Sequence, residues 1–281
     1  MIATPSGVGT SSFVDEIGIE IGIIGDFRLK ASYQPVFARH GDSLSAVAAC
    51  GFAMPFHHGR PISIAAFHDA VLPRHNFGST ALAAALNLRN LGHAGVAGLT
   101  LMLRADLRCA GTAGRARAAV RLLAAEIARD DLQPHDISVE LAGLAEVGAE
   151  VVAAAFAALQ AHGIRIAVLE QGNGPASGVL PDLAPADLVR IDGGWFRTVA
   201  RQPQTARLFA ALVRAYRSRG AEVLVDGIAT ETMLRVALDS DADFFCGPLL
   251  APAALAGALF PDTPLTIESL LAERRVIPLF P

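Results

Sequence analysis

Three cysteines, two consecutive histidines and a glycine pair are the residues whose types and spacing bear most directly on chemistry. Cys50, Cys109 and Cys246 are odd in number and far apart, with no CxxC pair and no Cys/His ligand spacing. Neither a disulfide framework nor a structural zinc site follows from them. A nucleophilic thiol needs a neighbour that stabilises the thiolate, and no His or Lys adjoins Cys246 in sequence. Its expected role is that of a small apolar side chain at a strand end. His57 and His58 are consecutive, so in extended chain they diverge and share no metal; a solvated loop is expected there. Gly172 and Gly174 have a GxG spacing, which can cradle phosphate but is weakly specific alone. A turn needing positive φ accounts for it better.

The elements that would position such residues belong to a folded, apolar chain. The sequence has 281 residues, 52% of them hydrophobic and 18% charged, a balance opposite to that of a disordered chain. A net charge of -4 leaves no basic excess for nucleic acid or an anionic membrane surface. Lys30 is the only lysine, so the abundant alanine and arginine reflect coding bias in part. Asp15, Glu16 and Glu20 interrupt the N-terminal apolar residues, which argues against a signal peptide, and no apolar run approaches the roughly 18 residues of a membrane span. A cytoplasmic protein is expected.

Short β-branched runs alternate with longer Ala/Leu stretches. Strands are expected at Leu99–Leu103, Ile137–Leu141, Ile164–Leu169, Leu188–Ile191, Glu222–Val225 and Asp243–Phe245. Helices are expected at Gly114–Arg129, Val147–His162, Thr205–Arg219, Thr230–Asp239 and Ala253–Leu259, each long enough to cross between parallel strands. Gly163 and Gly220 stand where left-handed C-caps favour glycine. Upstream, Phe27–Phe37 and Leu44–Ala53 read as an antiparallel pair turning near Gly41, followed by helices at Pro61–Ala70 and Leu82–Asn90. Together these predict a modified (β/α)8 TIM-type barrel with an antiparallel first strand, spanning residues 26–260. Residues 1–25 form an N-terminal segment expected to be helical. Residues 261–281 form a C-terminal tail, with a helix over Thr266–Arg275 and an apolar end at Val276–Phe280.

A set of landmarks in this order resembles the EAL domains, barrel phosphodiesterases that hydrolyse cyclic di-GMP. Asp26–Leu29 and Tyr33–Gln34–Pro35–Val36 resemble their YQP opening, and Val139–Glu140–Leu141 the start of an ExTE strand. Ile166–Gly174 resembles IALDDFGTG, Arg190–Ile191–Asp192 resembles KID, and Val225–Thr230 resembles EGVET. Cys246–Gly247 followed by Pro252 resembles the QG…P ending.

The resemblance implies a two-metal site at the C-terminal ends of the strands, built from carboxylates and amides because these hard cations prefer oxygen. The glutamate that names the family falls at Ala48, the asparagine of the following strand at Met102, and the paired aspartates at Leu169 and Glu170. The second ExTE glutamate falls at Gly143, the KID lysine at Arg190, the EGVE glutamate at Asp226 and the QG glutamine at Cys246. Glu140, Glu170, Arg190 and Asp226 are then remnants of the site, and Ala48, Met102, Leu169 and Cys246 are positions that have lost a ligand. No metal, cofactor or catalytic residue is expected. The arginine that pairs with phosphate in nucleotide-binding members falls at Phe52, leaving Gln34 and Arg190, with Arg104, as nucleotide contacts. Asp192 is expected to tether a loop. Trp195 lies in a region that contributes dimer contacts in the family. The expected function is that of a catalytically inactive EAL-like regulator acting through a protein partner, with a homodimer as one form. The alternatives are a metal-independent cyclic di-GMP receptor and a residual metal-dependent phosphodiesterase.

Overall fold

The computed structural model describes residues 10–130, 132–172 and 186–272. Its core is a hairpin of two long strands, β3 (Phe27–His40) and β4 (Ser43–His57), turning at Gly41 with φ 60°. Pairing shifts by one residue between Val36 and Phe37, so Val36 opposes Ala48 whereas Phe37 opposes Ala46. Such a bulge bends a strand and re-aims its side chains. Beyond the bulge, Gln34 opposite Cys50 and Val36 opposite Ala48 face the same side.

Six further strands complete the barrel: β6 (Thr100–Asp106), β7 (Ile137–Ala142), β8 (Arg165–Glu170), β9 (Leu188–Ile191), β10 (Glu222–Val225) and β11 (Phe244–Cys246). From β4 through β11 each neighbour is parallel, and β3 runs antiparallel to both β4 and β11, closing the ring. The expected modified barrel is therefore the observed fold. Small apolar side chains fill its interior: Val36, Ala48, Cys50, Ala167, Leu188, Leu224 and Cys246 form one cluster. A larger cluster between sheet and helices includes Leu101, Ile137, Val168 and Phe196. Burying each such large side chain contributes about 1.5–3 kcal/mol.

Helices Ala113–Arg129, Ala149–Ala161, Pro203–Arg217 and Glu231–Asp239 lie within two residues of the expected spans at each end. Thr230 caps the last of these, its hydroxyl accepting from Met233 N at 3.3 Å.

Five expectations are corrected. The N-terminal segment is a hairpin, β1 (Thr10–Val14) and β2 (Glu20–Ile24), with β2 pairing onto β3. The isoleucine-rich run Ile19–Ile24 buries Ile19, Ile21 and Ile24 and joins an open sheet edge, which outweighs any helical preference. The helices expected at Pro61–Ala70 and Leu82–Asn90 are one continuous helix, Ile64–Asn90, capped by Ser63; Pro61 instead belongs to a short strand, β5 (Arg60–Pro61), on β4. Ala253–Leu259 is not helical: Ala254–Leu255 pairs with β3, between Pro252 and Gly257 at φ 95°. The His57 and His58 rings do not diverge but lie 4.1 Å apart, because His58 at φ 49° breaks the extended alternation. In the tail, a helix spans only Ile267–Leu271 and packs on the core. Val276–Phe280 lies outside the described residues, as does Gly174.

Candidate functional site

Directly paired residues of parallel strands point to the same face, so the register decides which side chains meet inside the barrel. Arg104 pairs with Glu140, Glu140 with Ala167, Leu169 with Arg190, and Arg190 with Leu224. Ala167 and Leu224 belong to the interior cluster. Arg104, Glu140, Leu169 and Arg190 therefore face the lumen at the C-terminal end, and Asp226 follows directly after β10.

A charge network forms there. Arg190 Nη1 donates to Glu140 Oε2 at 2.9 Å and Nη2 to Asp226 Oδ2 at 2.5 Å. Arg104 Nη1 stands 3.3 Å from Glu140 Oε1, an ion pair without hydrogen-bond geometry. Glu140 is 4% exposed, so its charge depends on these partners. Burial opposes the charge on Arg190, yet facing Cys50, Glu140 and Asp226 outweighs it and holds the guanidinium pKa above its ordinary value. Arg190 Nε has no hydrogen-bond partner among the described residues.

Asp226 is placed by a backbone contact. An added Cβ on Gly227 would lie 2.6 Å from the Gly193 Cα, and Gly227 holds φ 72°. Only glycines allow this approach, and it brings the start of helix Gly193–Ala200 against the end of β10. Asp226 Oδ1 accepts from Gly227 N at 2.6 Å. Asp192, expected to tether a loop, instead caps that helix, its side chain accepting from Trp195 N at 2.8 Å.

Glu170 does not join Glu140 and Asp226. One residue along β8 from Leu169, it pairs with the fully buried Ile191 and faces the helices. Its carboxylate accepts from Gly172 N at 2.6 Å and from the Tyr216 hydroxyl. Burial, then this hydrogen bond, pushes the Tyr216 phenol up. The expected trio of acids is therefore a pair, and the position of the first of the paired aspartates, Leu169, is the one that faces the lumen. Gly172 has φ 74° and an added Cβ there would overlap the Trp195 indole, which supports a turn and packing role.

Ala48 is buried in the interior cluster, and Gln34 Nε2 donates to Ala251 O at 3.2 Å. Sulfur occupies the remaining positions. Cys50 Sγ lies 3.9 Å from Met102 Sδ; Cys50 and Cys246 belong to the interior cluster, and Met102 packs against that cluster. Contact with Cys50, then burial, pushes the Cys246 thiol well above its ordinary range, as expected of a packing rather than a nucleophilic role. A cavity of about 20 Å³ lies here, with Cys50, Phe52, Met102, Arg104, Glu140 and Arg190 in its wall. Among the described residues no group of three or more His, Cys, Asp or Glu is arranged to hold a metal. A second cavity of about 280 Å³ lies outside the barrel, between β6, β7 and helices Ile64–Asn90 and Ala113–Arg129, with a mainly apolar wall that includes Ala84, Leu103, Val120 and Leu141. No helix among the described residues is long and apolar enough to cross a membrane.

Sequence reasoning missed the Tyr216–Glu170 bond and the sulfur contact. The first is long-range; the second was visible as Cys50 and Met102 on adjacent strands, but only once their register is known.

Comparison with solved structures gives the same fold. The Xanthomonas citri FimX EAL domain in complex with cyclic di-GMP is 16% identical, with a TM-score of 0.67 over 82% of this chain and 88% of that one. A standalone EAL protein from Vibrio cholerae O395, in a cyclic di-GMP-bound form, is 13% identical with a TM-score of 0.67, over 84% and 95% of the two chains. The EAL enzyme Bd1971, bound to cAMP and cyclic di-GMP, has a TM-score of 0.67 at 15% identity over 88% of this chain, which spans only 64% of that protein's length. No curated protein matches. The model of the EAL domain matches residues 24–253, from the end of β2 to beyond β11, and with the closed barrel described above this makes the chain a member of the EAL domain family.

Proposed function

We propose that this EAL domain has lost phosphodiester hydrolysis and acts as a regulatory protein, through contact with another protein in bacterial cytoplasmic signalling. The observation that carries the loss of chemistry is the Arg190 guanidinium bound between Glu140 and Asp226. Divalent cations that activate water need several unclaimed hard oxygens. Here both lumenal carboxylates are already neutralised, Ala48 offers a methyl, and Met102 a thioether unsuited to magnesium or manganese. The donor set does not fit the family's two-metal arrangement. The protein-contact half of the reading rests on a retained barrel without this chemistry, because fold alone leaves function open.

One observation favours a second reading, in which the domain binds cyclic di-GMP without hydrolysis. The Arg104 side chain is 55% exposed at the lumen mouth, where it can meet phosphate, and the three similar structures named above hold that nucleotide. Against it, Phe52 replaces the phosphate-pairing arginine, a charge-assisted contact worth about 1.5–3 kcal/mol.

Calorimetric titration with cyclic di-GMP, with magnesium, manganese or calcium and then with EDTA, tests both. No heat under any condition is the expected result. Heat in EDTA that is lost in Arg104→Ala establishes the second reading. Metal-dependent heat with turnover refutes the loss of hydrolysis.

A further inference from the structure

The lumen holds a cavity of about 20 Å³, whereas the cavity behind β6 and β7 measures about 280 Å³. Protein interiors pack so closely that voids much larger than a water molecule are few. A gap of this size between packed elements calls for an occupant. We propose that it binds one uncharged apolar small molecule of roughly ten carbon atoms.

Three observations support it. The first is enclosure. Leu103 of β6 and Val139 and Leu141 of β7, all buried, form the floor on the side of the sheet away from the lumen. Helix Ala149–Ala161 closes one side with the buried Ala155 and Leu159. Alanines leave the gap open: Ala81, Ala84 and Ala85 line it from helix Ile64–Asn90, and Ala116 and Ala119 from helix Ala113–Arg129. Larger side chains at such positions would interdigitate and fill it. Leu122, also in the wall, is 48% exposed, so the cavity reaches solvent beside it. The second observation is size. A cavity of about 150 Å³ lined by apolar side chains takes up benzene, so this one has room for nearly twice as much, a two-ring aromatic or an alkyl chain of about ten carbons.

The third is charge. Each charged residue in the wall already has a partner: Arg104 pairs with Glu140, Asp106 with Arg108 and Glu126 with Arg89. The Thr80 hydroxyl and Cys109 Sγ, the uncharged polar groups of the wall, lie 4.0 Å apart. An ionic ligand would give up its hydration here without an unclaimed counter-charge in the described wall, a steep penalty. A neutral apolar molecule loses no such hydration and gains contact with the alanine and leucine side chains around it.

Full-length protein is titrated with 1-naphthylamine, a two-ring probe that is uncharged at pH 7 and whose fluorescence changes in apolar surroundings, and the probe is then competed with decan-1-ol or decanoate. Saturable uptake of one probe per chain is expected, displaced by decan-1-ol at least about tenfold more readily than by decanoate. Ala84→Leu/Ala119→Leu, which fills the gap from both helices, should weaken probe binding at least about tenfold. Leu208→Ser, at a 70% exposed position on helix Pro203–Arg217, should bind as the wild type does. Photolabelling of the wild-type protein with an aliphatic diazirine alcohol decides the matter even if the double variant fails to fold, since the labelled peptides should come from the helices and strands of the wall. Absence of saturable uptake, equal displacement by decanoate, unchanged binding in the double variant, loss in Leu208→Ser, or labelling confined to other segments overturns the proposal. Failure of this site leaves the protein-contact reading standing, because that reading rests on Arg190 and not on this cavity.

Discussion

Replacing Arg190 by methionine keeps much of the side-chain volume and removes the cation between Glu140 and Asp226. Removing one partner of a buried ion pair costs about 3–5 kcal/mol, because the other charge is left uncompensated. Two features reduce that figure. The Arg190 and Asp226 side chains are 17% and 18% exposed, so some water reaches them, and Arg104 still faces Glu140 at 3.3 Å. A loss of about 2–4 kcal/mol at pH 7 follows, or roughly 5–10 °C in Tm for a chain of this size. The cause is charge, so neutralising a facing acid should offset it: the double variant Arg190→Met/Asp226→Asn should recover part of the loss at pH 7. Urea unfolding of the three proteins at pH 7 measures this. A loss under about 1 kcal/mol, or a double variant no more stable than Arg190→Met, would falsify the view that the guanidinium is the counterion of the lumen.

Tyr216→Phe leaves the buried Glu170 with only the Gly172 N–H, and a loss of about 1–3 kcal/mol is expected in denaturant unfolding. The folded-state pKa of Tyr216 is raised, so the stability tied to its neutral form is complete below the ordinary tyrosine value and falls as pH rises past about 10. The phenylalanine variant should accordingly show a shallower alkaline decline. Gly227→Ala places a Cβ against Gly193 and in left-handed backbone, and should cost about 2–5 kcal/mol by thermal unfolding. The Arg108 guanidinium, by its hydrogen bond, holds the Asp106 carboxyl below its ordinary pKa. That stability is present above the unfolded carboxylate pKa and lost as pH falls through the lower folded value. Arg108 is 57% exposed, so Asp106→Asn should cost no more than about 1 kcal/mol at pH 7, and acid titration should bring the two proteins together.

The barrel strands were legible because each is a short β-branched run with a helix-length segment behind it, as in Leu188–Ile191 and Glu222–Val225. The N-terminal hairpin was not. Its second strand is stabilised by the free edge of β3, a partner that local propensity does not contain. The site divides in the same way. Glu140, Arg190 and Asp226 could be aligned to family landmarks, and they do converge. Glu170 aligned equally well yet faces the helices, because one step along a strand reverses the side and alignment carries no information on that step. The Cys50–Met102 contact depends on the Cys50↔Met102 register between β4 and β6, which exists only in the assembled sheet.

The antiparallel β3 has a consequence for synthesis of the protein. One edge of β3 pairs with β4, the next strand to emerge, and the other pairs with β11, where Val36 meets Cys246. At about 5–20 residues per second, the ribosome makes the intervening chain in roughly 10–40 s. Throughout that interval a long hairpin carrying Val36 and Phe37 has an unsatisfied edge, the kind of surface that pairs with other chains. The nascent protein should therefore depend on chaperones until residue 246 has left the exit tunnel, and pauses in translation before that point should favour aggregation over closure.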